Sequence, residues 1–145
     1  MNAKEYLLQY KTALARAERY KERITKAENV LKGVNLDGMP RGTATGDPTK
    51  NAALSLAMLR EQYGRALIDA EQIAGEILAN IERIPDEKSR TLLYSRYIRL
   101  LPWDKVAERL DAFRPGKEYE IKSVIGYMHP KALRELEEVL KNVIQ

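Results

Sequence analysis

Tyr6, Tyr10, Ala13, Ala17, Tyr20, Ile24, Ala27 and Leu31 follow one another at steps of 4, 3, 4, 3, 4, 3 and 4. An apolar residue every 3.5 positions is the seam of a long helix lying along a partner of the same kind. A second seam follows in Leu56, Leu59, Tyr63, Ala66, Ala70, Ile73, Ile77, Asn80 and Ile84, with Asn80 its one polar member. Two such runs leave little room for anything but a helical fold. No segment alternates apolar and polar residues long enough to read as a strand, and Ala, Leu, Glu, Lys and Arg, the strong helix formers, dominate the chain. The expected class is all-α.

Between the seams, residues 33–50 (GVNLDGMPRGTATGDPTK) hold four Gly and two Pro. This reads as a flexible linker or surface loop through which helix does not run. Residues 1–32 and 51–84 are then expected to form a coiled-coil-like antiparallel hairpin, or helices that pair between subunits; the pattern fits both. Residues 1–32 carry eight basic and four acidic groups, and residues 51–84 three and five, so the two helices have opposite net charge. Gly64 and Gly75 would each cost such a helix about 1 kcal/mol relative to Ala, a cost that tight packing at those points would explain.

Composition excludes several chemistries. With 25 Lys and Arg, 21 Asp and Glu, one His and no Cys, disulfides, thiolate catalysis and Cys-bearing metal sites are ruled out. His129 lacks a second His or a convergent carboxylate pair, so neither a metal site, nor a cofactor site, nor an enzyme is expected. No apolar stretch approaches the ~20 residues of a membrane span. The opening MNAKEYLLQYK is not a signal peptide, so a cytoplasmic protein is expected.

From Pro85 the chain changes to short helices, giving expected domains of 1–84 and 85–145. Pro85, Asp86 and Glu87 are helix-start residues, with Leu92, Leu93 and Tyr97 inward. Trp103, Val106, Ala107 and Leu110 share one face of a second helix. After a turn, Ile121, Val124, Ile125, Met128, Ala132, Leu133, Leu136 and Leu140 form the inner face of a third. The last two helices and their turn are the parts of a helix-turn-helix.

IPDEKSRTLLYSRYIRLLPWDKVAERL resembles the start of region four of bacterial sigma factors: Ile-Pro-Asp, then Arg96–Tyr97 ending the first helix, then Trp103, Val106, Ala107 and Leu110. The closing KALREL (131–136) is similar to the run that follows the recognition helix there. The chain as a whole resembles phage and prophage transcriptional regulators of the RinA/ArpU type, in which a His precedes an Ala-Leu pair as His129 precedes Ala132–Leu133. The resemblance implies a promoter- or operator-region DNA binder controlling late phage genes. Three positions depart from the pattern. The turn, DAFRPGKEY, is about six residues longer than the usual three or four. Pro130 predicts a kink or break in the third helix. Pro102 replaces a side-chain cap.

With that inner face fixed, Lys122, Ser123, Gly126 and Tyr127 point outward, where such a helix meets base edges and phosphates. Arg114 and Lys117 in the turn, and Lys131 and Arg134 beyond it, are the expected phosphate contacts, while Glu118 and Glu120 oppose them. Trp103 is expected in the core and His129 in a structural role beside Pro130, or on a phosphate. The first helix, with Arg16, Arg19 and Arg23, offers a second basic surface. The expected partner is double-stranded DNA. Two other readings use the same parts: a DNA-packaging recognition subunit resembling a small terminase, assembling a homo-oligomer through the N-terminal helices, and an interaction module docking on host RNA polymerase.

Overall fold

The computed structural model describes residues 1–37, 48–114, 116 and 119–144. Every regular element among them is helical. The long helix α1 spans Ala3–Asp37 and α2 spans Pro48–Ile81. Short elements follow: α3 (Glu87–Leu93), running into a π-helical turn (Tyr94–Ile98), and α4 (Trp103–Leu110), running into a 3-10 turn (Asp111–Phe113). Then α5 (Ile121–Ser123), a second π-helical turn (Val124–Met128) and α6 (His129–Ile144) follow one another without interruption. No helix among the described residues is long and apolar enough to cross a membrane.

The expected linker is too wide at both ends. Helix α1 runs through Gly33 to Asp37, and α2 begins at Pro48. One interior glycine costs roughly 1 kcal/mol, too little to stop a helix of that length, while Pro48 suits a first helical position because its missing N–H has no partner there. The remainder of the linker, 38–47, lies outside the described residues.

The chain divides into two compact units, Met1–Thr12 with Glu71–Gln145, and Ala13–Ala70. The boundary expected after residue 84 thus falls inside the first unit. In the Ala13–Ala70 unit the buried side chains are Ala13, Ala17 and Ile24 from α1 and Leu56, Ala66 and Ala70 from α2. An ion pair at 3.3 Å joins Glu28 to Arg60. Both partners are well exposed, so it contributes little. Tight packing at the helix glycines is not found: a Cβ at Gly64 or Gly75 would meet nothing within 4 Å.

The other unit has a larger core. Ala3 and Leu7 from the start of α1, Ile77 and Ile81 from the end of α2, and Ile84 pack with Leu92, Leu93, Tyr97, Val106, Leu110, Val124, Ala132 and Leu136. Asn80, the polar member of its seam, is buried and donates from Nδ2 to Tyr6 Oη at 2.6 Å. A buried amide left unpaired would cost about 1–3 kcal/mol, so this bond is what makes asparagine tolerable there.

Local chemistry explains the short elements. Asp86 caps α3, accepting from the Lys88 N–H at 3.1 Å and from Ser89 Oγ at 3.2 Å. Pro102 precedes α4 with no side-chain cap, as its chemistry requires. The first π-helical turn closes with Arg99 N–H on the Tyr94 carbonyl at 2.9 Å, and Leu101 N–H reaches back to Ser95 at 3.0 Å. Between them Leu100 takes a left-handed φ of 56°.

Candidate nucleic-acid interface

The helical run 121–144 starts on the Glu120 carbonyl, which accepts from the N–H groups of Ser123 and Val124 at 3.0 and 3.1 Å. Its inner side buries Val124, His129, Ala132, Leu136 and Val139. Met128, Leu133 and Leu140 are half-buried.

Two members of the expected inner face are not inside. Ile121 is 44% exposed and Ile125 41% exposed. The cause is the π-helical turn, which closes with His129 N–H on the Val124 carbonyl, five residues back. Each such turn holds one residue more than an α turn. The inward register set by Ala132 and Leu136 therefore slips by one position and meets Val124 instead of Ile125. The break expected at Pro130 is also absent, since α6 runs through it. Proline cannot donate to the carbonyl four residues back and its ring crowds that carbonyl; the wider turn just ahead takes up this irregularity.

Of the outward residues expected from sequence, Lys122, Ser123, Gly126, Tyr127, Lys131 and Arg134 are all exposed. Tyr127 is 70% exposed, a large share for an aromatic side chain. Arg114 is exposed at the end of the 3-10 turn, its guanidinium 5.0 Å from the centre of the Tyr119 ring. The expected contact Lys117 and the opposing Glu118 lie outside the described residues. The long turn is tied across its base by Tyr119 N–H donating to Asp111 Oδ1 at 2.9 Å, and Gly116 supplies a φ of +87° that L side chains resist.

Arg114, Ser123, Tyr127 and Lys131 come together on a cleft of about 630 Å³, while Lys122, Gly126 and Arg134 lie outside it. The cleft also takes in Asp86, Lys88, Ser89, Tyr119 and Glu120. Sequence reasoning missed Lys88 and Tyr119, which no helical spacing links to residues 122–134. Charge in the cleft is partly self-satisfied: Lys131 Nζ lies 3.4 Å from Asp86 Oδ2 and 3.7 Å from Glu135. Desolvation would raise the Asp86 carboxyl, but the Lys88 N–H, Lys131 and Ser89 outweigh it and hold the group below its ordinary value. The hydrogen bond that Lys131 donates to Asp86 in turn raises Lys131. Lys131 would therefore have to exchange one anion for another on meeting a phosphate.

His129 is buried and does not share the outer face. Its Nε2 lies 2.7 Å from Tyr97 Oη, and the Trp103 ring packs edge-on at 4.8 Å. Burial first, then the charges of Lys4 and Arg96, pushes its pKa down to about 4. An imidazole uncharged at neutral pH is a packing element and a poor phosphate ligand, which supports the structural role expected for it. Trp103 is half-buried, with Arg96 stacked 4.4 Å from the centre of its ring. Among the described residues no group of three or more His, Asp or Glu side chains is arranged to hold a metal ion.

No protein-family model, curated protein or solved structure matches this chain.

Proposed function

We propose that the chain binds duplex DNA selectively, with α4 and the helical run 121–144 acting as a helix-turn-helix. More particularly, it is a phage-type regulator of transcription, the role implied by the sigma-like motifs. The observation that carries the reading is the division of the run 121–144. One side is held by Val124, Ala132 and Leu136, and Lys122, Ser123, Gly126 and Tyr127 stand exposed on the other within its first two turns. Short polar groups and one aromatic at the start of a helix suit a major groove. Tyr6, early in α1, meets Asn80, late in α2, in one unit, and Glu28, late in α1, meets Arg60, earlier in α2, in the other; this order of pairing supports an antiparallel hairpin.

Titrating the full chain with a random duplex pool across a salt series tests this. Affinity should fall as salt rises, because each neutralised phosphate releases counterions. Lys122→Ala should relax sequence preference, whereas Lys131→Ala should weaken all sequences alike and reduce the salt slope by about 1. Binding that ignores salt, or no binding, sinks the reading. Self-association through α2 has one observation in its favour, the exposed Leu54, Met58 and Ile68. The mass in solution decides that.

A further inference from the structure

A second cleft, of about 270 Å³, shares no lining residue with the first. Its cations are Lys4 and Lys11 from α1 and Arg96 from the first π-helical turn; no carboxylate lines it. None of the three pairs with a carboxylate among the described residues. The apolar side chains of Leu8, Leu100 and Ile125, with Tyr97, Trp103 and His129, complete the lining of the cleft.

Leu100 makes this more than a chance gathering. Left-handed backbone costs an L residue roughly 1–2 kcal/mol, and glycine or asparagine usually fills such a helix end. Here a leucine fills it at φ 56° and leaves its side chain 39% exposed. The conformation is imposed by Leu101 N–H on the Ser95 carbonyl at 3.0 Å and by Arg96 Nη1 on the Leu101 carbonyl at 3.0 Å. Nearby Ile125 is turned outward by the register slip and is 41% exposed. Strain that keeps an apolar side chain in water points to a surface that something covers.

We propose that this cleft docks an acidic peptide segment of a partner protein, whose bulky apolar anchor is seated between Leu8, Leu100 and Ile125. Charge complementarity decides the occupant's sign. Unopposed Lys4, Lys11 and Arg96 attract carboxylates and repel a basic segment. A phosphate backbone would satisfy the cations but bury nothing against the three apolar side chains, so a peptide is the better fit. The cleft shares no residue with those proposed to read DNA, although Ile125 stands beside Gly126 in the same run, and its proposal does not depend on that reading.

The chain's single tryptophan, Trp103, lines the cleft and reports on it directly. The probe is a short end-blocked peptide with one Phe and one Leu among glutamates, titrated into the full-length chain while Trp103 emission is followed. Two controls are the same peptide with lysine in place of glutamate, and a short duplex DNA. Expected is a saturable emission change with the acidic peptide alone, weakening at high salt. The double variant Lys4→Glu, Lys11→Glu should lower peptide affinity about tenfold or more. Leu100→Gly should also weaken the peptide while leaving the thermal midpoint unchanged or higher, since glycine relieves the backbone. That variant separates lost docking from lost folding. An unresponsive Trp103, or equal affinity for the lysine peptide, overturns the proposal. So does a lysine double variant that keeps the peptide but loses duplex DNA, which would assign the cleft to nucleic acid.

Discussion

Four of the six buried apolar residues described in Ala13–Ala70 are alanines, whereas only three of the fifteen in Met1–Thr12 with Glu71–Gln145 are. The remainder of the latter set are Leu, Ile, Val and Tyr. A buried methyl is worth about 0.8 kcal/mol and a buried leucine about 1.5–3. The alanine seam therefore gains mainly from helix propensity, and the leucine-rich core from burial. One chain thus holds two kinds of helix, one stable because its residues favour helix and one because its side chains pack. The unit with less to bury is expected to open first.

The largest test of that difference is Leu93→Ala against Ala66→Gly. Truncating fully buried Leu93 should cost about 2–5 kcal/mol, read as a lower urea midpoint of Trp103 fluorescence. Ala66→Gly should cost about 1 kcal/mol and move far-UV circular dichroism more than fluorescence. Equal movement of both signals in both variants would erase the distinction between the units.

Acid should act on the packed unit through His129. Its folded pKa is about 4 against an ordinary 6.5, owing to burial and then to Lys4 and Arg96. Between those values the unfolded chain binds a proton that the folded chain refuses. The contribution is therefore complete above about pH 6.5 and is lost as pH falls toward 4, amounting to at most about 3 kcal/mol. Urea midpoints at pH 7, 5 and 4 check this, and His129→Gln should flatten the slope over that window.

The smallest effects come from the two helix glycines, where an added Cβ meets nothing within 4 Å. Gly64→Ala in the alanine-seamed unit and Gly75→Ala in the packed one should each stabilise by about 0.5–1 kcal/mol. Thermal melts at several protein concentrations measure this. A loss at either position would reveal a close neighbour there, as a second copy of the chain would be.

The helical class was readable because a 3.5-residue period runs unbroken along both long helices. Each seam residue from Tyr6 to Leu31 and from Leu56 to Ile84 is buried or half-buried. Leu92, Leu93, Val106 and Leu110 were equally readable and are fully buried. Ile121 and Ile125 were misread because a period of 3.6 has no term for a five-residue hydrogen bond. Helix ends at Asp37 and Pro48 were misread because composition weighs a glycine by type and not by its small cost in context. The outward residues of 122–134 followed from the pattern itself. The cleft around Leu100 did not, since it joins Lys4 and Lys11 to Arg96 across some ninety residues of sequence, and no spacing rule links them.

The π-helical turn at Val124–Met128 has the geometry of a one-residue insertion lodged in a helix. Removing one exposed residue from it, Gly126, would restore regular pitch and bring Val124 within seven residues of Ala132 in place of eight. Seven residues at about 100° each close nearly two full turns, so Val124 would still face inward and Lys122 and Ser123 would keep their direction, while Ala132 and Leu136 stayed where they are. The wide turn thus absorbs one codon: its loss here leaves both the aim of the helix start and the core that holds it in place.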